Sequence, residues 1–292
     1  MTKSLTRDGG KAFCALHERE TLFIMPNPWD AGTARMLADL GFEALATSSA
    51  ALAWSLAKPD AVGQVTRAEA IAHAGTIVAA TGLPVNGDFE SGYGETPAEV
   101  AETIRQAIDA GVAGCSIEDQ DQSQASAGGA AVLYPLDEAL RRLEAAREAI
   151  GKSGADFVLT GRCEVFFSKS ADPLGEAVRR LVAYEAVGAD AVYAPGLTRE
   201  AEVAAVVEAV SVPVNVLGGL GGVSDDIAAL ERLGVKRVSI GSGLAKVALG
   251  GFLKAANALA ARRFDYAGAT SSPVLNGAFA RPLGENDKDD DD

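Results

Sequence analysis

The chain has 292 residues, of which 48% are hydrophobic, and it carries a formal net charge of −14 at pH 7. This length suits one large domain or two ordinary ones, with enough apolar residues for a sizeable core. The negative charge argues against nucleic acid and anionic membrane surfaces as partners. The polar start lacks a signal peptide, and no apolar run is long enough to span a bilayer, so we expect neither secretion nor membrane insertion.

Eight short apolar segments recur along the chain, and each is a candidate β-strand. They begin near residues 22, 42, 85, 112, 155, 189, 214 and 235. Five of them follow a glycine that ends a helical segment, where glycine suits the left-handed position just past a helix. Two others, at 85 and 214, follow a proline. This regular punctuation predicts alternating helices and strands.

Helix starts and alanine-rich runs fall between these strands. The spacing of a capping box predicts helices that begin after Thr66 and after Thr96. Asp172 and Ser224 are further candidate caps. Runs with helical apolar spacing occupy residues 98–110, 136–150, 174–187 and 199–209.

The order of these elements predicts an α/β fold, a single (β/α)₈ TIM-type barrel with a C-terminal helical extension. We place the barrel at residues 1–262, the extension at 263–284 and a disordered acidic tail at 285–292. A doubly wound open sheet is the alternative. It usually carries a GxGxxG turn after the first strand, whereas the first strand here runs into residues 27–30, Asn-Pro-Trp-Asp.

Polar residues gather at the C-terminal ends of the predicted strands, where barrels carry their function. Because side chains alternate along a strand, Asp88 and Glu90 share a face with Asn86, and Glu118 shares a face with Gln120 on the next strand. Three carboxylates that converge repel each other unless protons or a cation neutralise them. Oxygen ligands of this kind suit Mg²⁺, with Mn²⁺ as a substitute. The alternative is that these acids are solvated or pair with nearby basic residues.

Arg162 ends the strand that follows Glu118 in chain order. An arginine at a barrel mouth can bind a carboxylate or phosphonate through two hydrogen bonds and can stabilise an enolate oxygen. The alternative is a salt bridge to Glu118 or Glu164, and such a bridge is compatible with a binding role because it can position the guanidinium.

The other chemically active side chains are weaker candidates. His17 and His73 lie on predicted outer helices, so a Ser-His-Asp arrangement has no support. The cysteines, Cys14, Cys115 and Cys163, show no metal-type spacing and favour a reducing, cytoplasmic setting. The glycines of residues 218–222 and 241–243 are similar to the phosphate cradle of many barrels, which leaves a phosphorylated substrate as a rival interpretation.

Several motifs in fixed order resemble the isocitrate lyase / phosphoenolpyruvate mutase superfamily over residues 15–260. The matching segments are Asn27-Pro28-Trp29-Asp30-Ala31, Thr47-Ser48-Ser49-Ala50, Lys58-Pro59-Asp60, residues 88–94 (DFESGYG), residues 114–120 (GCSIEDQ), Gly161-Arg162 and residues 213–216 (PVNV). The combination is specific, although each segment alone is weak.

This resemblance implies a Mg²⁺-dependent enzyme that acts on small α-keto or α-hydroxy acids and breaks or forms a C–C or P–C bond through a pyruvate-like enolate. It assigns Asp60, Asp88, Glu90 and Glu118 to the metal shell, partly through water, and makes Arg162 the clamp on enolate and carboxylate. Of these, we expect Arg162, Glu118 and Asp60 to be catalytic.

The resemblance also implies a binding site for the substrate. Ser49 and the backbone at Ala50 and Ala51 would cradle the carboxylate, Asp88 and Arg162 would help to hold the substrate, and Asn215 would contact it. It further implies a homo-oligomer, a dimer or tetramer, in which residues 244–262 are swapped between subunits.

One loop departs from the family pattern. Isocitrate and methylisocitrate lyases carry a Lys-Lys/Arg-Cys-Gly-His loop after strand four, but the corresponding residues 121–134 contain no Cys, Lys or His. The loop is small and polar, as suits a mobile lid, and it offers no general acid. Tyr93 or Tyr193 is then the candidate proton donor. We expect a lyase on an oxo- or hydroxy-diacid, by decarboxylation or retro-aldol cleavage. A phosphonomutase or phosphonopyruvate hydrolase and a non-catalytic keto-acid-binding protein are the alternatives.

Overall fold

The structure is a computed structural model that describes residues 3–126 and 128–280. Eight parallel strands form its sheet. They are β1 (Phe23–Met25), β2 (Leu45–Ala46), β3 (Val85–Asp88), β4 (Gly114–Glu118), β5 (Val158–Arg162), β6 (Ala191–Tyr193), β7 (Val214–Leu217) and β8 (Arg237–Ser239). Each of the eight predicted strands is therefore confirmed.

The strands lie side by side in chain order, and β8 returns to pair with β1. Between β1 and β2 the backbone N–H of Ala46 donates to the carbonyl of Pro26 at 3.0 Å. This bond nearly closes the sheet on itself. The predicted (β/α)₈ barrel is confirmed, and the C-terminal strand ends all face one mouth.

Helices surround the barrel and follow the strands. They are α1 (Lys3–Glu18), α2 (Ala31–Asp39), α3 (Ser49–Ser55), α4 (Arg67–Thr81), α5 (Pro97–Asp109), α6 (Leu136–Ser153), α7 (Pro173–Ala186), α8 (Glu200–Ala209), α9 (Ile227–Arg232), α10 (Gly243–Ala260) and α11 (Ser272–Ala280). The four predicted alanine-rich helices lie within three residues of their expected bounds.

The caps explain where most of these helices begin. Thr66 and Thr96 both form the predicted capping boxes, and Asp172 caps α7 through the backbone N–H of Gly175. The predicted cap at Ser224 is wrong. Residues 222–225 form a 3₁₀ turn in which the Ser224 hydroxyl bonds the Gly221 carbonyl, and Asp226 caps α9 instead. A serine satisfied inside a turn is no longer available to a helix that starts later.

Helix α1 covers the base of the barrel with a second, smaller apolar cluster. Phe13 is fully buried there and packs edge-on against Phe23 of β1, with ring centroids 6.3 Å apart. A Cβ on Gly114 would lie 2.7 Å from the Phe13 ring. Glycine at this point of β4 therefore lets α1 seat against the bottom of the barrel.

His17 on α1 is buried beside Arg237 at this base. Its Nδ1 lies 2.8 Å from the Phe13 carbonyl, and Nη1 of Arg237 lies 3.1 Å from its Nε2. Nδ1 therefore carries the proton, and Nε2 accepts from the guanidinium. Burial and the charge of Arg237 lower the pKa of His17 to about 3. The imidazole is neutral at pH 7 and has a structural role, as expected for a histidine on an outer helix.

We expect His17 to make stability depend on pH. The unfolded chain binds a proton at His17 near pH 6.5, while the folded chain resists protonation down to about pH 3. The contribution is fully present above pH 6.5 and is lost as pH falls through this window, by about 1.4 kcal/mol per pH unit at most. Urea unfolding at about pH 7 and about pH 5 should show a smaller loss in His17→Gln than in wild type. Equal losses in both proteins would contradict this role.

The C-terminal helices extend from the barrel. Of the 18 residues of α10, only Ala245 and Ala258 are buried, while Val247 is 74% and Phe252 67% exposed. Helix α11 returns towards α2, where Phe279 lies near Gly32. The predicted domain bounds stay predictions, and the acidic tail 285–292 lies outside the described residues. In the described part of the chain, no helix is both long and apolar enough to cross a membrane.

Candidate active site

Two adjoining cavities open at the C-terminal ends of the strands. The first has a volume of about 230 Å³ and reaches into the barrel, and the second, about 430 Å³, is lined by residues 125–126 and 128–131 of the loop after β4. Side chains shared by both cavities are Ser49, Asp60, Arg162 and Phe167. The first volume is below the ~300–1,000 Å³ typical of sites for drug-sized ligands, so it suits a small acid.

Arg162 stands between the two cavities at the end of β5. Its Nη1 donates to Oδ1 of Asp88 at 3.0 Å, its Nε lies 3.4 Å from Oε2 of Glu118, and Nε also donates to Oε1 of Glu164. Its guanidinium carbon is 5.2 Å from the centre of the Tyr193 ring. Burial disfavours the charge, but Glu164, Glu118 and Asp88 together raise the pKa of Arg162 well above its ordinary value. The salt bridges foreseen as the alternative are present, and they aim the guanidinium into the cavities.

Asp88 connects Arg162 to the start of α3. Oδ2 of Asp88 accepts from the backbone N–H of Ser49 at 2.8 Å and from its hydroxyl at 2.9 Å, while Oδ1 accepts from Arg162. Its own N–H donates to the Thr47 hydroxyl. The two groups expected to hold a substrate carboxylate are thus already bridged by a carboxylate of the chain.

The cradle predicted at Ser49, Ala50 and Ala51 is the first turn of α3, whose N-cap is Ser48. The Ala51 amide donates to the Ser48 hydroxyl at 3.3 Å, so it caps the helix. Ser49 and Ala50 line the first cavity. A helix N-terminus favours an anion. Ser49 and Ala50 are the parts of the predicted cradle that face the cavity in which an anion could bind.

Glu90 reaches the site by a different route from the predicted one. Strand β3 ends at Asp88, and Glu90 has φ +47°, so strand alternation does not extend to it. It is buried and lines the second cavity. Burial, then repulsion by Asp88 and Asp60, raises the pKa of Glu90 to about 8. This side chain resists carrying its charge so long as no cation lies near it.

A buried arginine holds the loop that carries Glu90. Arg142 on α6 is 1% exposed and donates from Nη1 to the carbonyls of Ser91 and Gly94 and from Nη2 to that of Glu95. It also stacks on Tyr134 at 4.2 Å. Three carbonyls on one guanidinium fix the turn after Glu90, so α6 positions this part of the mouth.

Asp60 and Glu118 complete the acidic group. Asp60 lies in the loop after α3 and lines both cavities, and burial followed by the charge of Asp88 raises its pKa. Glu118 ends β4, accepts from Gln122 at 2.9 Å and has a pKa raised well above its ordinary value, chiefly by burial. All four acids predicted to bind a metal therefore line one or both of the adjoining cavities.

In their present arrangement, no three acidic, histidine or cysteine side chains of the described residues lie close enough to hold a metal ion. Asp88 and Glu118 are turned towards Arg162 instead. The donor set nevertheless fits a hard divalent cation, because all four acids offer oxygen ligands and burial penalises the charges of Asp60, Glu90 and Glu118. A cation would offset that penalty.

A buried network behind the site was missed from the sequence. Asp119 is 1% exposed; it accepts from the N–H of Glu164, from Nη1 of Arg180 at 3.1 Å and from the Tyr184 hydroxyl at 2.6 Å. Its N–H donates to the Arg162 carbonyl. Asp119 therefore holds the end of β5 in place. The only sequence signal was its place beside Glu118, which points it to the opposite face.

Asn215 lies deeper than the other predicted contacts. It is 1% exposed, lines the first cavity, accepts from Nε of Arg237 at 2.8 Å and donates to the Ser239 hydroxyl at 3.0 Å. The two tyrosines also separate. Tyr193 lines the first cavity, whereas Tyr93 lines neither cavity, and its buried hydroxyl has no hydrogen-bond partner among the described residues.

In the region of the alternative phosphate cradle, several backbone amides donate to other groups of the chain. The backbone N–H groups of Leu220 and Gly221 donate to the side chains of Ser224 and Asp225 at 3.1 Å each. The Gly243 amide bonds the Ile240 carbonyl. These three amides are satisfied internally, and one of them faces an acid, so they are not available to a phosphate in this arrangement.

The loop after β4 covers the second cavity. Gln120 and Leu133 form an isolated antiparallel bridge at its ends, and the Ala131 amide bonds the Phe167 carbonyl at 2.9 Å. These contacts hold the loop over the acids. A loop held by a few backbone bonds is suited to act as a lid.

Comparisons with known proteins cover most of the chain. A family model described as phosphoenolpyruvate phosphomutase matches residues 13–260. A chloroplastic carboxyvinyl-carboxyphosphonate phosphorylmutase of Arabidopsis thaliana is 34% identical over 183 residues, which are 61% of this chain and 52% of that protein. An oxaloacetate decarboxylase of Bradyrhizobium sp. strain BTAi1 is 32% identical over 213 residues, or 73% of this chain and 70% of that protein. The chain thus spans about half the length of the first of these relatives.

A solved structure is also similar. A crystal structure from Burkholderia cenocepacia J2315, assigned only provisionally as a lyase or mutase, superposes with a TM-score of 0.88 at 45% identity. The superposition covers 96% of this chain and 99% of that chain. The likeness therefore extends well beyond the strands that build the mouth.

Proposed function

Because the chain belongs to the phosphoenolpyruvate phosphomutase family of enzymes, we propose that it is a Mg²⁺-dependent lyase that cleaves a C–C bond of a small oxo- or hydroxy-diacid. This membership confirms the superfamily resemblance in the motifs. One observation carries the proposal: Arg162 stands amid four acids at the mouth of a cavity of about 230 Å³. Decarboxylation and retro-aldol cleavage are the leading reactions, and the relative named as an oxaloacetate decarboxylase favours the first.

We assign the cation to Asp60, Asp88, Glu90 and Glu118, the acids whose mutual repulsion it would relieve. When bound, a divalent ion supplies Lewis-acid polarisation of the substrate oxygen beside the bond that breaks. Mg²⁺ suits this all-oxygen donor set, and Mn²⁺ could replace it.

The chain's own groups would bind and stabilise the reacting acid. Arg162 offers N–H donors to a carboxylate and to the oxygen on which negative charge develops when the C–C bond breaks. Ser49 and the N-terminus of α3 would receive the substrate carboxylate in the place that Asp88 now takes. The loop after β4 would exclude water above them.

Tyr193 is the better candidate for the proton donor. It lines the first cavity next to Arg162, whereas Tyr93 does not. Burial raises the pKa of Tyr193 above its ordinary value, so its hydroxyl keeps the proton until a stronger base forms beside it. A carbanion or enolate of pyruvate is such a base.

Tyr193→Phe should lower kcat by about 10²–10⁴-fold with little change in KM, because it removes a general acid and keeps the ring under Arg162. Tyr93→Phe is the matched control and should keep wild-type kcat. Steady-state assays of pyruvate release measure both. Full activity of Tyr193→Phe would rule the residue out as donor and leave solvent or the lid as the source.

P–C bond chemistry is the alternative enzyme function, and a phosphorylmutase among the relatives favours it. Against it, residues 121–134 contain neither the lysine nor the asparagine that the resemblance implies for a phosphonomutase in this loop, and the loop amides of Leu220 and Gly221 are satisfied internally. A non-catalytic keto-acid-binding protein is the alternative outside the enzymes. It would keep Arg162 and the acids but turn nothing over.

A substrate panel separates these functions. With MgCl₂ or with EDTA, purified protein is assayed for pyruvate release from oxaloacetate, substituted malates, methylisocitrate and phosphonopyruvate, and for conversion of phosphonopyruvate to phosphoenolpyruvate. We expect turnover of a diacid that depends on MgCl₂. Turnover of phosphonopyruvate alone would favour the P–C alternative. Metal-dependent binding of pyruvate without turnover of any member would support the binding protein and contradict the lyase.

We also propose that the chain forms a homo-oligomer through α10. This helix exposes Val247, Phe252 and Leu253 by 74%, 67% and 57%, and large exposed apolar side chains on one helix are a feature of protein–protein interfaces. A second copy of the chain would cover it.

Phe252→Asp should shift the protein to a smaller species in light scattering coupled to size exclusion. A charge on a buried apolar interface is costly to desolvate. Val182→Asp, on the outer face of α7 at a residue 41% exposed, is the control and should leave the mass unchanged. A wild-type monomer at assay concentrations would contradict the proposal.

A further inference from the structure

The inner end of the first cavity holds a second arginine. Arg237 is the first residue of β8, and it lines the cavity although only 1% of it is exposed. Strand register places it opposite Asn215 and Phe23, near the base of the barrel. The cavity thus has an arginine at each end, Arg162 at the mouth and Arg237 at the floor.

Neutral groups hold the guanidinium of Arg237. Nε donates to Oδ1 of Asn215 at 2.8 Å, Nη2 to the Thr160 hydroxyl at 3.0 Å, and Nη1 to the unprotonated Nε2 of His17 at 3.1 Å. A guanidinium has five N–H groups. Among the described residues these three bonds leave two N–H groups of Arg237 free.

Arg237 has no counter-charge within the described residues. None of its contacts is a carboxylate, whereas Arg162 pairs with Asp88, Glu118 and Glu164. Burial lowers the pKa of Arg237 to about 10, so it remains charged at pH 7. A buried charge without a partner is costly, and an anion that enters the cavity would supply the missing partner.

A second buried group also lacks a partner in this cavity. Oδ1 of Asn86 is buried and has no hydrogen-bond partner in the part of the chain that the structure describes, and Asn86 lines the cavity. A free acceptor suits a ligand hydroxyl, as a free donor suits a carboxylate. Asn86, with its unsatisfied acceptor, and Arg237, a charge without a carboxylate partner among the described residues, thus line the same cavity.

We propose that Arg237 makes the floor of this cavity a carboxylate subsite, which binds the far carboxylate of a small diacid while Arg162 and Ser49 bind the near one. The diacid itself rests on the proposed function, and the anion site rests on the contacts of Arg237. Arg237 is then a specificity-determining residue: it favours substrates with two carboxylates over pyruvate-like monoacids.

Calorimetric binding of inert acids tests the subsite without turnover. The probes are malonate, succinate and glutarate against acetate and propionate, at equal ionic strength in buffer with MgCl₂. Wild type should bind at least one diacid more tightly than either monoacid. In Arg237→Met that diacid should bind about tenfold or more weakly, with monoacid affinity unchanged.

Two further variants keep the test sharp. Arg237→Gln keeps N–H donors without the charge, so it carries the test if Arg237→Met fails to fold, and it should lose the diacid preference too. Thr160→Val removes one neutral partner and leaves the charge, so it should keep the preference. A merely structural Arg237 would affect stability in these variants but not the difference between diacids and monoacids.

The outcomes separate this inference from the proposed function. Equal diacid affinity in wild type and a folded Arg237 variant would overturn the subsite, whether or not the protein is a lyase. A diacid preference that depends on Arg237, in a protein that turns over nothing in the substrate panel, would sustain the subsite and contradict the lyase.

Discussion

Asp88→Ala should lower kcat/KM by at least about 10²–10³-fold, the loss that follows removal of one group that stabilises charge in an active site. Asp88 touches both Ser49 and Arg162, and it is one of the acids proposed to hold the cation. Its removal breaks the link between the two halves of the mouth. Steady-state pyruvate release with MgCl₂ measures the loss, and calorimetric titration with MgCl₂ measures metal binding separately.

Asp137→Ala is the matched control. Asp137 is an acid on α6 whose side chain is 69% exposed and forms a salt bridge with Arg141. Its loss should change neither turnover nor metal affinity. If Asp88→Ala binds Mg²⁺ and turns over substrate as wild type does, the proposed metal site is wrong.

Asp119→Ala should reduce the free energy of unfolding by about 3–5 kcal/mol, because three buried donors lose their acceptor at about 1–3 kcal/mol each. These donors are Nη1 of Arg180, an arginine that keeps Glu176 as its other carboxylate partner, the Tyr184 hydroxyl and the Glu164 amide. Asp119→Asn keeps the shape of the side chain and loses its charge, so its free energy of unfolding should lie between those of wild type and Asp119→Ala. Urea unfolding measures all three proteins.

An exposed salt bridge provides the comparison for this effect. Glu148→Ala removes the partner of Lys152, in a pair whose side chains are 66% and 74% exposed, and should cost at most about 1 kcal/mol. An Asp119→Ala protein no less stable than Glu148→Ala would show that the network behind the site contributes little. It would also weaken the argument that Asp119 holds the end of β5.

The barrel was predictable because its signals are local. Each strand is a short apolar run bounded by glycine or proline, and the caps at Thr66 and Thr96 are set by residues three positions apart. The predicted helix cap at Ser224 was wrong because local signals alone did not decide it. Ser224 and Asp226 are both good caps, and the choice between them depends on a turn that satisfies Ser224 first.

The acids and Arg162 were predictable because strand ends meet at one mouth, so Asp88, Glu118 and Arg162 are neighbours by register. Glu90 was placed for the wrong reason, since its conformation depends on Arg142, some 50 positions along the chain. Contacts between residues so far apart in the sequence produce no periodic sequence pattern. The contacts of Arg237 with His17 and Thr160 are of this kind.

The bridge that Asp88 makes between Ser49 and Arg162 gives the protein an internal competitor for its own anion site. A free carboxylate must displace the carboxylate of Asp88. The apparent affinity of the site for a free carboxylate therefore falls by the fraction of time in which Asp88 is bound to Ser49 and Arg162. A cation that binds Asp88 would free the N–H and hydroxyl of Ser49 and the guanidinium of Arg162 to bind an anion. Anions and cations should therefore bind with positive cooperativity, because the binding of each favours the binding of the other. In the absence of a cation, Asp88 occupies the anion site and an acid should bind weakly.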